Sequence, residues 1–295
     1  MGKWIISNTK EEAKKKVHTL IMGKGKVGKT GLTLTLPCPM NRILYIGADP
    51  GELRLRHVEI PTFKPANGIW NEEMMQDCYN YLLTERKKYD FSVIDGLDTL
   101  GNEVNAGHQE EYKDGRKAWE QTNNFMDQWI RRMRDINGVS SLWITHPAEV
   151  TDDMGRVTIK PSMPGNKLKN EINNYFDIIG YMTEVRGADG NLIPLIQFTR
   201  NPDERVQVGD RSGALSDYEA PNLAGIFKKI QESGMSVTDY TGNPTPGEME
   251  ALKQIIRLDK TKEAKRKVDE ALAKNKLSSP AEMSREQFDS LMKNV

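Results

Sequence analysis

The apolar positions along the chain change period from segment to segment. Short apolar runs bounded by turn residues read as strands at residues 19 to 22, at "RILYIGA" (residues 42 to 48), at "FSVID" (residues 91 to 95) and at "SLWIT" (residues 141 to 145). Other stretches repeat at the helical period. Between residues 71 and 88, Met74, Cys78 and Leu82 recur every four positions, and Asn71 can cap the start. Between residues 116 and 135, Ala118, Thr122, Phe125, Trp129 and Met133 share one face. Late in the chain, "FDIIGYMTEV" and "LIPLIQFT" read as strands joined by "RGADGN", with Asp189-Gly190 as the turn signal.

Strands alternating with helices, then a hairpin, predict an α/β fold. Its central sheet is mostly parallel and flanked by helices, with an antiparallel C-terminal extension. Residues 241 to 250, "TGNPTPGEME", read as a linker between a domain over residues 1–240 and a helical tail over residues 251–295. Between residues 253 and 276 the tail carries nine basic and four acidic residues. That excess either concentrates phosphate or is the solvated face of a helix packed through Ile255, Ile256, Leu258 and Val268.

Ligands in such sheets sit beyond the carboxyl ends of strands, and the sequence puts its chemistry there. Gly23, Lys24, Gly25, Lys26, Val27, Gly28, Lys29 and Thr30 fit G-x-x-x-x-G-K-[ST]. Such a loop wraps phosphates with backbone N–H groups, and its glycines allow close approach. Lys29 reaches the outer phosphates, and the Thr30 hydroxyl sits on Mg²⁺. Gly31 to Leu36 is expected to open a helix whose N-terminus favours the anion. Asp95, at the end of the third strand, is the expected metal carboxylate beside Thr30.

Hydrolysis also needs a group that orients water. Asp49 and Glu52 in "GADPGEL" are the candidates, with turn formation as the competing role of both; Asp49 lies nearer the strand end. Thr145 and His146 end the fourth strand, where they either sense the γ-phosphate or simply close the strand before Pro147. Asp98 is a second candidate carboxylate or a helix cap. His18, His57 and His108 read as structural or surface residues.

Composition narrows the classes. Lys plus Arg equals Asp plus Glu at 42 each, so any nucleic-acid surface must be a local patch. Cys38 and Cys78 have no metal spacing and read as small buried apolar residues. No apolar run approaches the ~20 residues of a membrane span, and "MGKWIISNTK" has no hydrophobic signal core. The expectation is a cytosolic protein without a membrane partner.

The ordered set "GKGKVGKT", "YIGADPGE", "YDFSVIDGLDTL", "DGRKAW", "LWITHP", "GDRSGAL" and "EAPNL" resembles the phage-encoded RecA-like core ATPases, the phage nucleotide-binding AAA proteins. Some of these act in single-strand annealing or recombination. The resemblance spans about residues 17 to 232. It implies a RecA-like P-loop NTPase fold, ATP and Mg²⁺ as cofactors, and hydrolysis at interfaces between subunits of a ring or filament. It also implies single-stranded DNA as partner, in the cytoplasm of a phage host. By position, Lys29 and Thr30 take the phosphate-loop roles and Asp95 the metal role. Asp49 stands where the family tends to carry a catalytic Glu. Gly209 replaces the lysine of a K-D-R motif, so a cation acting in trans falls to Arg211 or Arg205, with Arg200 nearby. In RecA-like proteins the loop after the fourth strand faces DNA. Here that loop carries Arg156, Lys160, Lys167 and Lys169; a β-hairpin lid with solvated lysines is the other reading.

The loop is also similar to the K-G-G-x-G-K-[ST] loop of partition-type ATPases, which places Lys24 across a dimer interface. Lys26 replaces the second Gly of that motif, Gly47 replaces the first Asp of D-x-D-P, and "IDGLD" lacks D-x-P-P. A nucleotide-binding scaffold without turnover is the remaining alternative.

Overall fold

The computed structural model describes residues 16–151, 154–186, 190–199 and 205–232, with residues 252, 256, 262–275, 277, 280, 287, 290 and 291 of the tail. The chain divides into one unit of Met1–Arg211 with Leu215–Phe227 and another of Ser212–Ala214 with Lys228–Val295.

The apolar runs of the first unit pair side by side. They form β1 (His18–Gly23), β2 (Ile43–Gly47), a short β3 (Thr62–Phe63), β4 (Phe91–Asp95) and β5 (Ser140–Thr145). β6 (Pro147–Thr151) and β7 (Val157–Pro161) make a separate antiparallel hairpin. β8 (Ile178–Arg186), β9 (Leu192–Gln197), β10 (Gly209–Asp210) and β11 (Tyr218–Glu219) follow. The main sheet has the order β11-β9-β8-β1-β5-β4-β2-β3. It is parallel from β8 to β3. β9 and β10 pair antiparallel with β8, and β11 with β9. The expected parallel sheet with a late antiparallel extension is therefore present. Strands covered on both faces need continuous apolar runs rather than alternation, which is why "TLIM" and "FSVID" stand out in the sequence.

Helices cover the sheet. α1 (Glu72–Glu85) starts where the Asn71 side chain accepts the Met74 N–H at 2.9 Å. α2 (Leu97–Glu111) escapes the apolar pattern. Its buried face mixes Leu97, Leu100 and Val104 with Asp98, Asn105 and His108, and it starts at Gly96, whose φ of 95° no side-chain cap accompanies. α3 (Gly115–Arg134) buries Ala118, Thr122, Met126, Trp129, Ile130 and Met133, with Phe125 only partly buried. Trp129 donates its indole N–H to the Met75 carbonyl at 2.8 Å and meets Trp143 of β5 edge-on, locking α3 to α1 and the sheet.

Two expectations change, and one pair of readings is decided. Residues after the phosphate loop form a 3₁₀ turn, Lys29–Thr35, not an α-helix. Pro37 drives Leu36 into extended backbone (φ −65°, ψ 144°), so the helix cannot continue. Of the two readings of residues 147–170, the described residues take the hairpin, as β6–β7, followed by α4 (Asn166–Glu171). Cys78 is buried as expected, but Cys38 is half-exposed, with its thiol pushed up to about 11 mainly by partial burial.

α5 (Leu223–Glu232) runs across the sequence division between the units, from the first up to Phe227 into the second from Lys228. In the tail, α6 (Glu263–Asn275) contributes Val268 to a small apolar cluster with Leu252 and Leu291, and Ile256 packs against it. Two basic residues of α6 pair at helical spacing, Arg266 with Glu270 and Lys267 with Glu263. The linker residues 241–250, Ile255, Leu258 and Arg200 lie outside the described residues.

His18 takes a structural role. Its Nδ1 lies 2.7 Å from the Ser141 hydroxyl, its Nε2 is buried without a partner, and burial pushes its pKa down to about 3. Between 6.5 and that value the unfolded chain binds a proton that the folded chain refuses, so stability falls as pH drops through this window. Urea unfolding from pH 7 to pH 4 should show a steeper loss for wild type than for His18→Gln. Parallel curves would show that His18 does not carry this dependence.

Candidate functional site

Adjacent parallel strands bring their carboxyl ends to one edge. Met22 of β1 is level with Thr145 of β5, Ile144 with Asp95 of β4, and Asp95 with Gly47 of β2. A cleft of about 870 Å³ opens there. Its walls are the loop Gly25–Gly31, the turn Asp49–Gly51, Asp95, His146 and a basic side of Arg54, Arg56 and His57.

The phosphate loop is held by its own main chain. A side chain at Gly23 would meet the Met182 carbonyl at 2.7 Å, and Gly28 has φ 102°, so both positions demand glycine. Lys26 also takes left-handed backbone, φ 67°, where a glycine would carry no strain. The Lys29 ammonium donates to the Gly23 carbonyl at 2.7 Å and the Lys24 carbonyl at 2.9 Å. Burial lowers its pKa, and the carboxylates of Asp95, Asp98 and Asp49 oppose the shift.

Thr30 and Asp95 meet directly, the Thr30 hydroxyl donating to Asp95 Oδ2 at 2.7 Å. The buried Tyr45 hydroxyl donates to the same oxygen at 2.8 Å. Burial raises the Asp95 pKa; the two hydroxyl bonds and Lys29 pull it back down. Gly51 closes over the pair: a Cβ there would lie 2.7 Å from Thr30 Oγ1 and 2.8 Å from Asp95 Oδ2. A hydroxyl beside a carboxylate at the mouth of a phosphate loop is a hard-oxygen donor set suited to Mg²⁺.

Beside this pair, where its N–H meets the Asp95 carbonyl at 3.4 Å, Asp49 accepts at Oδ1 from the Thr99 hydroxyl at 2.5 Å. The Ala48 N–H is held by the Asp95 carbonyl at 2.8 Å, which ties the turn to β4. Asp98 does not cap α2 but joins the site. It accepts from the Thr145 hydroxyl at 3.1 Å, and its Oδ2 lies 3.1 Å from His146 Nδ1. Asp49 Oδ2 is 3.9 Å from the same nitrogen. Asp49, Asp98 and His146 thus form a tight cluster of groups able to ligate a metal.

A family model described as an AAA domain matches residues 15–212. The chain belongs to this AAA domain family. It is an AAA-type P-loop ATPase domain, and the cleft contains its phosphate-loop residues Gly25–Gly31. No curated protein matches the chain. Among the described residues no helix is long and apolar enough to cross a membrane.

Not every candidate reaches the cleft of this AAA domain. Glu52 is exposed, 3.6 Å from Lys64, and points to the side of β3. Arg211 follows β10, which pairs with the start of β8 level with Thr19, at the far end of β1 from the phosphate loop. Its guanidinium donates to the Asn174 carbonyl at 3.1 Å and lies 3.9 Å from Asp177. Arg205 has φ 47°, and its carbonyl accepts from the Ile159 N–H. Lys160 of the hairpin donates to Asn170. The side chain of Lys167 lies outside the described residues. His57, read from sequence as structural or surface, stands at the cleft, as do Arg54 and Arg56. No spacing rule marks these residues; only the 3₁₀ turn Glu52–Leu55 turns Arg54 towards Gly31.

Gly51→Ala should push Thr30 and Asp95 apart and weaken Mg²⁺-dependent binding of a fluorescent nucleotide about 10-fold or more, with little change in the nucleotide-free melting curve. Gly107→Ala, at an exposed position of α2 with open space around it, should leave binding unchanged and stabilise the fold by about 0.5–1 kcal/mol.

Proposed function

We propose that this AAA domain hydrolyses Mg-ATP and acts on single-stranded DNA in the cytosol, in the annealing or strand handling of phage replication or recombination. The observation that carries the hydrolytic reading is that one cleft gathers both sets of groups. It is lined by Lys29 and the Thr30–Asp95 pair and also by Asp49 and His146.

The roles follow from the contacts. Lys29 exchanges its two carbonyl partners for the outer phosphates, which return the hydrogen bonds a buried ammonium needs. Thr30 and Asp95 hold the metal, which when bound neutralises charge on the phosphates. Asp49, aligned by Thr99, accepts a hydrogen bond from the attacking water and takes its proton. It stands where the resembled family has Glu, and the shorter side chain leaves the water further away, which favours slow turnover. His146, held at Nδ1 by Asp98, turns its other nitrogen to the γ-phosphate.

Coupling to DNA rests on the hairpin. β6 starts immediately after His146, and β7 leads back to Ser162, whose N–H is bound by the His146 carbonyl at 2.8 Å. The Thr145 hydroxyl donates to the Ser162 carbonyl at 2.9 Å. Both ends of the hairpin are thus tied to the γ-phosphate end of β5, and Arg156 and Lys160 ride on it. Arg211, remote from its own cleft, serves a neighbouring subunit in a ring or filament. A nucleotide-switched dimer of the partition type would instead use Lys24, which is exposed on the loop.

Asp49→Asn should lower ATP turnover about 10²-fold or more while sparing nucleotide affinity, and Glu52→Gln should stay within about 2-fold of wild type, since that side chain faces away from the cleft. The reverse ranking would move the water-orienting role to Glu52. Lys29→Ala should bind ATP poorly and not turn over. Adding single-stranded DNA should raise wild-type turnover and shift particle mass to multimers. A fixed dimer insensitive to DNA would favour the partition-type reading, and binding without turnover the scaffold.

A further inference from the structure

Asp95 carries more than the standard hydroxyl partner. Tyr45 lies in the middle of β2, its ring is buried, and its hydroxyl donates at 2.8 Å to Asp95 Oδ2. That oxygen already accepts the Thr30 hydroxyl at 2.7 Å. We infer that Tyr45 is a positioning residue of the metal site, holding the Asp95 carboxylate in the one orientation that leaves its other oxygen for the cation's water shell.

The backbone around Tyr45 is arranged to let its ring reach Asp95. Residues 45 and 47 of β2 point to the same face of the strand. A Cβ at Gly47 would lie 2.7 Å from Tyr45 Cε1, so the ring crosses a position where only glycine fits. The Gly47 carbonyl in turn accepts the Trp70 indole N–H at 3.2 Å, which keeps the strand from sliding. From the loop side, Gly51 packs against the same oxygen that Tyr45 and Thr30 share. Oδ2 is therefore enclosed by Tyr45, Thr30 and the Gly51 backbone. Among the described residues, the Thr30 and Tyr45 hydroxyls both bond to Asp95 at Oδ2.

A carboxylate with one donor can still rotate about its last torsion. A second donor, fixed to a buried ring at a different angle, removes that freedom. When Thr30 turns a lone pair to the cation, its proton stays available to Oδ2, so Tyr45 and Thr30 act together rather than in competition. The buried ring fixes the Tyr45 hydroxyl as a donor to Oδ2.

This inference rests on the assignment of Thr30 and Asp95 as the metal site. The test uses the full chain with Mg²⁺ and Mn²⁺ as probes. Tyr45→Phe deletes one hydroxyl and keeps the ring. Binding of a fluorescent ATP analogue is titrated with Mg²⁺, Mn²⁺ binding is followed directly by electron paramagnetic resonance, and melting is recorded in EDTA. Tyr45→Phe should raise the metal midpoint in both titrations about 10-fold, with a melting curve in EDTA close to wild type. An unchanged midpoint in a folded Tyr45→Phe protein overturns the inference and leaves Tyr45 as a packing residue. If Tyr45→Phe melts far below wild type, Gly47→Ala keeps the hydroxyl and displaces the ring; a raised midpoint there supports the inference, and an unchanged one overturns it. Asp95→Asn separates the two levels: if it leaves the wild-type metal dependence intact, the site assignment itself fails, whatever Tyr45→Phe does.

Discussion

The Asp95 carboxylate is the constraint from which the rest of the site follows. It ends a strand buried on both faces and is itself almost wholly buried. A charge in that position is costly unless hydrogen bonds replace the water it has lost. Thr30 and Tyr45 supply them, and the Lys29 ammonium adds its field. Each demand propagates outward. Thr30 must come from the phosphate loop, so β1 must end at the same edge as β4. Tyr45 must reach across β2, so position 47 must lack a side chain. The turn over both must pass close, so position 51 must lack one too.

The insertion of β5 between β1 and β4 makes the second half of the site. It carries Thr145 and His146 to the middle of the edge, between the loop and Asp95. Asp98, from the first turn of α2, then fixes both residues. The same strand end launches the β6–β7 hairpin, so Thr145 and His146 are covalently continuous with a surface element that carries Arg156 and Lys160 beside Glu149. In the proposed function this continuity is the route by which nucleotide state reaches DNA.

Much of this was legible in sequence. The phosphate loop, the strand ending in Asp95, the capping Asn71 and the late hairpin all depend on neighbours in the chain, and local pattern reports them. The reading failed where local and tertiary demands diverge. α2 carries polar residues on its buried face, Asp98 for the site and Asn105 and His108 for hydrogen bonds with Thr122 of α3, which blurs the helical period. Residues after the loop look helix-compatible until Pro37 is weighed against them. Asp98 looked equally like a cap, since Asp near a helix start usually is one. Tyr45 carries no sequence signal of its own, because aromatic residues are common in strands.

The sequence alone determined the chemistry available at each strand end: a loop that can cradle phosphate, a hydroxyl, a carboxylate and a histidine, each at the close of an apolar run. Those are properties of a few consecutive residues and of the backbone conformations they permit. Only the tertiary structure decided which of these groups meet. Strand order and register lie in hydrogen bonds between segments tens of residues apart, and no periodicity within one segment encodes its neighbour. That order put Asp49 rather than Glu52 in the cleft, joined Asp98 to His146, sent Arg211 to the far end of the sheet, and set the Tyr45 hydroxyl on the same oxygen as Thr30.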